Sequence, residues 1–356
     1  MDFGPDISTY EGKRVGLFGG KFFPPHNGHL AMIAEAAKQV DVLFVVVQYD
    51  EAHEAALCDG TGFQPLHPRL RERWLSEIYR ESENIRVFSA YEKRTERWLT
   101  DPDLRDIHRE LAGRCHHIDT VFSGDASYTP YFDVWLPEAE HVVLDVAASG
   151  SSVHSSDIRR DGAFAHWEHL PEPVRRHFTK RVAFCGWESA GKSYTARRVA
   201  EEMGGVADYV PEYGRTYYEE LNGYEAIAES QDALNTVAGH LYSLHGARGC
   251  KALCVDTDIV YTQFYHLKDF GYLHPALDEL IKANADQIDE WIFLEPRHPL
   301  ADDGSRFRYD ERERLRTSDE LRRLYEHYGK NLHVIDEADD SRRLDVAAEL
   351  VRGWIG

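Results

Sequence analysis

One stretch near the middle of the chain constrains the fold more than any other: residues 180–193 read KRVAFCGWESAGKS. Arg181 to Cys185 is a short apolar run typical of a buried strand. A helix is predicted from Tyr194 to Met203, because apolar residues recur on one of its faces. Between them, Gly186 to Ser193 spells G-x-x-x-x-G-K-S, the Walker A pattern. A strand, a glycine loop and a helix in this order predict a phosphate-binding site.

The loop suits phosphate because its backbone N–H groups can form an anion-binding nest, and the following helix adds the positive end of its dipole. In this pattern Lys192 reaches the β- and γ-phosphates of ATP and Ser193 holds Mg²⁺. The alternative is a strand-to-helix turn that binds nothing, and the Lys-Ser ending argues against it. Arg306 belongs to a polar, basic segment, Asp302 to Arg308, whose composition suits a lid over phosphates. The predicted ATP contacts in this half are Gly186, Glu188, Ser189, Gly191, Lys192, Ser193, Tyr194 and Arg306.

Carboxylates follow a further apolar strand that begins at Lys251. Asp256 is the natural ligand of Mg²⁺ or partner of a substrate hydroxyl, and Asp258 is the second candidate. A capping carboxylate at the strand end is the alternative interpretation. Glu212 could bind a sugar hydroxyl or act as a base and Arg215 could bind a phosphate, although such residues more often form a surface ion pair. The predicted substrate contacts are Glu212, Tyr213, Arg215, Asp256 and Asp258, with Trp187 as another candidate for ring stacking.

A second glycine loop lies near the start of the chain. Arg14 to Phe18 is an apolar strand, and it runs into GGKFFPPHNGH at residues 19–29. A helix is predicted from Leu30 to Val40, followed by a buried strand from Asp41 to Val47. This order predicts a β-α-β unit with a special loop after its first strand.

Four residues of this loop are candidates for contacts with phosphate. Gly19 and Gly20 let the backbone approach a ligand closely. His26 and His29 lie where the helix begins, so a neutral or protonated imidazole can contact phosphates with help from the helix N-terminus. Two histidines at this spacing could instead be a metal pair or polar caps.

The segments between the two glycine loops carry weaker signals. Asp50 to Gly62 is polar and rich in Ala and Gly, which predicts a mobile loop, and His67 to Tyr79 predicts a helix. Arg69 and Arg73 on that helix are either solvated or face nucleotide phosphates. Ser123 to Asp125 end a strand, where ligands of open α/β sheets bind. For Trp98 and Trp135, core packing is favoured over base stacking.

The glycine loop of residues 19–29 resembles the G-x-F-x-P-x-H-x-G-H signature of the nucleotidyltransferase superfamily. The second signature of that superfamily, S/T-x-x-x-I-R, is matched by Val153 to Arg159. The resemblance implies in-line attack by a phosphate oxygen on the α-phosphorus of ATP, with Lys21 and Arg159 neutralising developing charge. It assigns contacts with ATP to Gly19, Gly20, Lys21, His26, His29, Ser155, Ser156 and Arg159.

From about residue 14 onward, the chain resembles the NadR family, in which a nicotinamide-mononucleotide (NMN) adenylyltransferase is fused to a ribosylnicotinamide kinase. The matching stretches, in order, are GKFFPPHNGH, RLRERW, SSDIR, WEHLPE, GWESAGKS, EYGR, DTDIVYTQ and DDGSR. The resemblance implies Mg²⁺ as cofactor and nicotinamide riboside, NMN, ATP and NAD as ligands. The catalytic residues that it implies are His26, His29, Lys21, Arg159, Lys192, Asp256 and Glu212. No helix-turn-helix pattern precedes residue 14, so we do not extend the resemblance to transcriptional control.

Two other functions are compatible with these motifs. One is a kinase and adenylyltransferase for another riboside or vitamin precursor. The other is a regulator that senses NAD and ATP and has one inactive half. The presence of Lys192, Ser193, Asp256, His26 and His29 argues against the regulator.

The predicted fold is α/β, with two doubly wound parallel-sheet domains: an N-terminal Rossmann-like nucleotidyltransferase and a C-terminal P-loop kinase. We expect an N-terminal tail over residues 1–13, the nucleotidyltransferase domain over 14–170 and the kinase domain over 171–356. Pro171 and Pro173 rule out one continuous helix at the join.

Composition excludes several classes of protein. The formal net charge is −21, and such an acidic chain is a poor general binder of nucleic-acid backbone. No apolar run approaches the ~20 residues that span a bilayer, and residues 1–13 lack the apolar core of a signal peptide. The five cysteines fit no zinc pattern, which indicates reduced thiols in a cytoplasmic protein. We therefore expect neither nucleic acid nor membrane as a partner; a homo-oligomer is compatible with the sequence.

Overall fold

The structure, a computed structural model, describes residues 10–92, 117–145, 153–220, 229–245, 249–297 and 311–356. The chain divides into two compact units, Met1–His177 and Phe178–Gly356, here called the N-terminal unit and the C-terminal unit. Each contains a five-stranded parallel sheet, so the prediction of two parallel-sheet α/β domains is confirmed. The domain boundary expected between residues 170 and 171 stays a prediction.

The N-terminal unit has a sheet with strand order β3-β2-β1-β4-β5. Its strands are β1 Val15–Gly20, β2 Val42–Tyr49, β3 Ile85–Tyr91, β4 Thr120–Ser123 and β5 Glu140–Val143. Its helices are α1 Asn27–Ala37, α2 Glu51–Cys58, α3 Pro68–Ile78, α4 Thr129–Trp135, α5 Ser155–Asp161 and α6 Glu172–Phe178, which ends at the boundary.

Strand β2 shows why this sheet lies in the interior of its unit. Leu43, Val45 and Val47 pack in one apolar cluster together with residues of α1 and α3. The alternate residues of β2 pack in a second cluster on the opposite face. The run from Val42 to Val47 is apolar at every position and is thereby buried on both faces, as is typical of parallel sheets.

The N-terminal sheet changes its direction of growth at β1. β1 pairs with β2 on one side, with Val15 opposite Val42, and with β4 on the other, with Gly16 opposite Thr120. In open α/β sheets, ligands bind beyond the carboxyl ends of the strands at such a switch point. The glycine loop of residues 19–29 begins at this place.

The prediction of a mobile loop over Asp50 to Gly62 was wrong, because Glu51–Cys58 forms helix α2. The Asp50 side chain caps this helix by accepting a hydrogen bond of 3.2 Å from the backbone N–H of His53. Core packing of Trp135 is confirmed, since it is buried against Tyr131. Trp98 lies outside the described residues.

The C-terminal unit has a sheet with strand order β10-β9-β6-β8-β7, and β6 lies at its switch point. Its strands are β6 Lys180–Cys185, β7 Ala207–Val210, β8 Ala252–Asp256, β9 Glu290–Leu294 and β10 Leu332–Ile335. Its helices are α7 Lys192–Met203, α8 Tyr213–Glu220, α9 Ser230–Leu244, α10 Ile259–Phe270, α11 Pro275–Ala283, α12 Glu311–His327 and α13 Asp340–Ile355.

Cysteines of the central strands contribute to the core of this unit. Cys185 and Cys254 are buried free thiols, and burial raises the pKa of Cys254 to about 12. The predicted lid segment, Asp302 to Arg308, lies outside the described residues. Within the described part of the chain, no helix is both long and apolar enough to cross a lipid bilayer.

Candidate active sites

In the N-terminal unit, two phenylalanines fix the loop that joins β1 to α1. Phe22 and Phe23 are fully buried, with 1% and 0% of their surface exposed. Phe22 has a left-handed backbone with φ of 48°, which is strained for an aromatic residue. Its ring packs against those of Phe18 and His29, with centroids 6.2 and 5.1 Å away. The loop is thus held from inside by the core.

Three side chains hold the backbone of the same loop from outside. Arg71 Nη1 donates a hydrogen bond of 2.7 Å to the carbonyl oxygen of Lys21. Arg159 Nη1 donates one of 2.6 Å to the carbonyl of Phe23, and Ser155 Oγ donates one of 2.9 Å to the carbonyl of Pro24. The structure therefore brings Ser155 and Arg159 to the glycine loop, where their predicted contacts with phosphate stay a prediction.

Arg71 was not among the site residues predicted from the sequence, although it lies within RLRERW. This side chain is completely buried, and its two terminal nitrogens bind the two carboxylate oxygens of Glu54 in α2 at 2.8 and 2.7 Å. The neighbouring Arg69 and Arg73 are exposed, which supports the solvated alternative for both. Arg71 lies on the same buried face of α3 as Trp74, and this periodicity could have distinguished it from the exposed Arg69 and Arg73.

His26 and His29 lie together at the start of α1, with ring centroids 3.8 Å apart. The backbone N–H of His26 donates to His29 Nδ1 at 3.3 Å. Burial, and then the neighbouring His154 and His169, lower the pKa of His26 to about 4. Burial and the imidazole of His26 also hold the pKa of His29 well below its usual range. Of the two protonation states left open by the sequence, the structure favours the neutral one at neutral pH.

The remaining predicted residues of this site occupy three places. Gly19 and Gly20 end β1, and Lys21 follows with its Nζ 3.1 Å from His53 Nε2 of α2. Ser156 is exposed in the first turn of α5. No group of three or more His, Cys, Asp or Glu side chains among the described residues could hold a metal ion, so nothing here supports the metal-pair alternative.

In the C-terminal unit, the phosphate-binding loop requires glycine at both ends of the Walker A pattern. Gly186 has a φ of 141°, and a Cβ there would come within 2.4 Å of the carbonyl oxygen of Leu294. Gly191 is left-handed with a φ of 85°. The buried Arg343 of α13 donates a hydrogen bond of 2.5 Å from Nη1 to the carbonyl oxygen of Ala190. Arg343 was not among the site residues predicted from the sequence. A distant helix thus holds this loop.

Lys192 begins α7 and is 8% exposed. Its ammonium donates to Tyr261 Oη at 3.1 Å and lies 4.6 Å from the centroid of that ring. Burial alone would lower the pKa of Lys192, but Tyr261, Glu212 and Asp256 together raise it. Lys192 therefore keeps its charge and can bind anionic phosphate.

The two aspartates after β8 differ in their hydrogen bonds. Asp256 is 1% exposed; its Oδ2 accepts from Tyr209 Oη at 3.2 Å, and its Oδ1 has no partner in the described part of the chain. Asp258 accepts four hydrogen bonds, from the N–H groups of Val260 and Tyr261, Tyr325 Oη and Trp291 Nε1. The alternative of a capping carboxylate therefore fits Asp258. Asp256 has one carboxylate oxygen that can still bind a metal ion or accept a hydrogen bond from a hydroxyl.

Glu212 and Arg215 form an ion pair at 3.5 Å, in which Arg215 is 58% exposed. Such a pair fits the surface alternative for Arg215. Glu212 is less exposed, and burial raises the pKa of its carboxyl. The ring of Tyr213 lies directly against Gly239 of α9, where an added Cβ would be 2.0 Å from the ring.

One aromatic residue lies within the Walker A pattern and another follows it directly. Trp187 is 1% exposed and packs against Phe264 and Tyr265 of α10, with ring centroids 5.4 Å away in both cases. Tyr194 follows Ser193 in the first turn of α7 and is 55% exposed. Trp187 is therefore a core residue, while Tyr194 is accessible to a ligand. Arg306 lies outside the described residues.

Comparisons with known proteins cover both units. Residues 17–161 match the Cytidylyltransferase-like family and residues 181–343 match the AAA domain family. The trifunctional NAD biosynthesis/regulator protein NadR of Escherichia coli (strain K12) is 29% identical over 351 residues, 97% of this chain and 84% of that protein. A crystal structure of NadR in complex with NR has a TM-score of 0.74 at 25% identity, over 97% of both chains. Another, in complex with NAD and AMP-PNP, has a TM-score of 0.73 at 23% identity over 97% of both chains.

Two parallel α/β units, each with a glycine loop at its switch point, define a bifunctional enzyme with a nucleotidyltransferase unit and a P-loop kinase unit. The similarity to NadR runs through both units in one order and over 97% of the chain. The chain is similar to NadR along both units, so the resemblance seen in the motifs is confirmed.

Proposed function

We propose that this chain makes NAD from nicotinamide riboside in two steps, using ATP at a separate site in each unit. The C-terminal unit phosphorylates the riboside to NMN, and the N-terminal unit joins NMN to the adenylyl group of a second ATP. The similarity to NadR along the chain supports this function. The observation that carries it is the unpartnered Oδ1 of buried Asp256, set at the carboxyl end of β8 beside the charged Lys192.

In the kinase step, the 5′-oxygen of the riboside attacks the γ-phosphorus of ATP. A bond forms between that oxygen and phosphorus, the bond to the bridging oxygen breaks, and ADP leaves. Lys192 stabilises charge on the phosphates. Glu212, whose pKa is raised by burial, accepts the proton of the hydroxyl.

Asp256 Oδ1 and the hydroxyl of Ser193 fit a Mg²⁺ ion, since Mg²⁺ prefers oxygen ligands and takes few of them from protein when phosphates are bound. When bound, the ion supplies charge neutralisation to the phosphates. Asp256 also orients the loop end of β8 through its bond with Tyr209.

In the transferase step, a phosphate oxygen of NMN attacks the α-phosphorus of ATP and pyrophosphate leaves. His26 and His29 donate hydrogen bonds to ATP as neutral imidazoles, because their pKa values are lowered. Lys21 and Arg159 supply positive charge that stabilises the negative charge developing on the departing pyrophosphate. Since only positioning and electrostatics are needed, no covalent enzyme intermediate forms.

Incubation of the full chain with nicotinamide riboside, ATP and Mg²⁺ tests the proposal, with NMN and NAD quantified by chromatography. Both compounds should form in that order. Absence of both would refute the proposal and favour another riboside or vitamin precursor. NMN without NAD would make the N-terminal unit a sensor or a transferase for another substrate. We place the reaction in the cytoplasm, where the buried thiols stay reduced.

A further inference from the structure

Glu188, in the phosphate-binding loop of the C-terminal unit, has a carboxylate oriented by helix α10. Tyr265 Oη donates a hydrogen bond of 2.7 Å to Glu188 Oε1. The other oxygen, Oε2, is buried and has no hydrogen-bond partner among the residues that the structure describes. A buried carboxylate oxygen without a donor is costly, so this atom is placed to accept a hydrogen bond from a ligand.

A series of hydrogen bonds links this carboxylate to Lys192. Lys192 Nζ donates to Tyr261 Oη at 3.1 Å, and Tyr261 Oη donates to Tyr265 Oη at 3.4 Å. The two tyrosines lie four residues apart on α10, with ring centroids 5.0 Å apart. Glu188 and the phosphate-binding ammonium are therefore held in a fixed relation before any ligand binds.

The charge of Glu188 indicates which substrate it contacts. A carboxylate that faced the phosphates of ATP would be repelled by them. Burial raises the pKa of Glu212, the charge of Lys192 lowers it, and the charges of Asp256 and Glu188 raise it, so Glu188 lies near the two carboxylates that are proposed to contact the acceptor. In-line transfer places the acceptor hydroxyl on that side. Asp256, 1% exposed and with its own Oδ1 unpartnered, lies there too.

We propose that Glu188 Oε2 accepts a hydrogen bond from a ribose hydroxyl of the phosphate acceptor, so that the kinase unit prefers ribosides to their deoxy analogues. The sugar is a better match than the ring, because Glu188 belongs to the same phosphate-binding loop as Lys192 and is linked to it through Tyr265 and Tyr261, which places it near the transferred phosphate and hence near the 5′-carbon. This inference rests on the proposed riboside kinase activity. It moves Glu188 from the ATP contacts expected from the motif to the acceptor, with Tyr265 as its positioning residue.

Kinase kinetics of the full chain test this assignment, with nicotinamide riboside and ATP varied in turn. Glu188→Gln keeps the size of the side chain and removes its charge. We expect kcat/KM for the riboside to fall about 10- to 100-fold, the range of a charge-assisted hydrogen bond, while KM for ATP changes less than about twofold. Tyr265→Phe should give a smaller loss of the same kind. The matched control is Glu201→Gln, on the exposed surface of α7, which should change neither.

Substrate analogues identify the atom that Glu188 contacts. With the wild type, replacing the parent riboside by either its 2′-deoxy or its 3′-deoxy analogue should lower kcat/KM. The decrease should be about as large as the one that Glu188→Gln causes with the parent riboside. With Glu188→Gln, kcat/KM for that same analogue should be only slightly lower than kcat/KM for the parent riboside. The assignment would be wrong if Glu188→Gln raised KM for ATP alone. It would also be wrong if each deoxy analogue lowered kcat/KM by the same factor in the wild type and in Glu188→Gln.

Failure of the proposed function gives a different result. In that case the wild type would not phosphorylate nicotinamide riboside at all. The same comparison would then use the riboside that the wild type does phosphorylate, from a panel of pyridine, purine and pyrimidine ribosides. If a deoxy analogue of that riboside lowered kcat/KM in the wild type but not in Glu188→Gln, Glu188 would still be supported as the sugar-binding residue. An equal decrease in both proteins would still refute it.

Discussion

Arg343 Nη1 lies 2.5 Å from the carbonyl oxygen of Ala190, so the last helix of the chain holds the loop that binds phosphate in the C-terminal unit. The N-terminal unit uses the same device, since Arg159 and Arg71 donate to the carbonyls of Phe23 and Lys21. Loop carbonyls have no partner within regular secondary structure. In each unit, a guanidinium from a distant segment provides that partner and fixes the loop.

Replacing Arg343 by Met should weaken the C-terminal unit and its kinase activity together. The change leaves the carbonyl of Ala190 without its donor and the carbonyl of Glu295 with only the backbone N–H of Arg297, so we expect a loss of about 2–4 kcal/mol in the free energy of unfolding. Urea titration and the kinase assay measure the two effects. Arg342→Met, at an exposed position of the same helix, is the control and should change little. An unaltered kinase rate in Arg343→Met would show that this bond does not position the loop.

The buried pair of Arg71 and Glu54 should behave differently when one or both partners are removed. Arg71→Met leaves a buried carboxylate unpaired and should cost about 3–5 kcal/mol. The double variant Arg71→Met/Glu54→Leu should recover most of that stability. It should not recover the transferase KM for ATP, because the bond to the carbonyl of Lys21 is still missing. Recovery of both properties would contradict a positioning role for Arg71, and Arg73→Met is the exposed control.

Local patterns were sufficient to predict much of the fold and the glycine loops. The strand, loop and helix around the Walker A residues follow from apolar periodicity and from glycine at two constrained positions. The buried position of Arg343 could not be predicted in this way. Arg343 and Ala190 are 153 residues apart in sequence, and only the folded structure shows that this charge is inside. Helix α2 was missed for a related reason, since one of its buried residues, Glu54, is charged and pairs with the distant Arg71.

Gly239 of α9 provides a test of the packing beside the kinase site. A Cβ at this position would come within 2.0 Å of the ring of Tyr213. Gly239→Ala should therefore displace that ring and lower stability by about 1–3 kcal/mol, as overpacking does. Gly353→Ala is the matched control: Gly353 lies in helix α13 with open space at its Cβ, so we expect a gain of up to about 1 kcal/mol. Thermal unfolding of both variants measures the contrast, and equal effects would show that the ring moves freely.

Stability should fall in mild acid because of His26. Its pKa is about 4 in the folded chain, against about 6.5 when unfolded. Between these values the unfolded state binds more protons, so the free energy of unfolding decreases as the pH falls from 6.5 towards 4. The contribution of His26 to this loss is about 2 kcal/mol at pH 5. Urea titrations at pH 7 and pH 5 should show it, and His26→Asn should reduce the difference; an unchanged difference would contradict the low pKa.

Two substitutions should separate the activities of the two units. Lys192→Met keeps the apolar stem and removes the charge at the kinase site. It should lower riboside phosphorylation at least about 100-fold, as loss of a charge that stabilises the transferred phosphate does. Formation of NAD from supplied NMN should stay within about twofold of wild type. His29→Ala should do the reverse, because its imidazole lies at the start of α1 in the other unit. Chromatography of NMN and NAD checks both, with Lys282→Ala on exposed α11 as control. Loss of both activities in either variant would mean that the sites do not act separately.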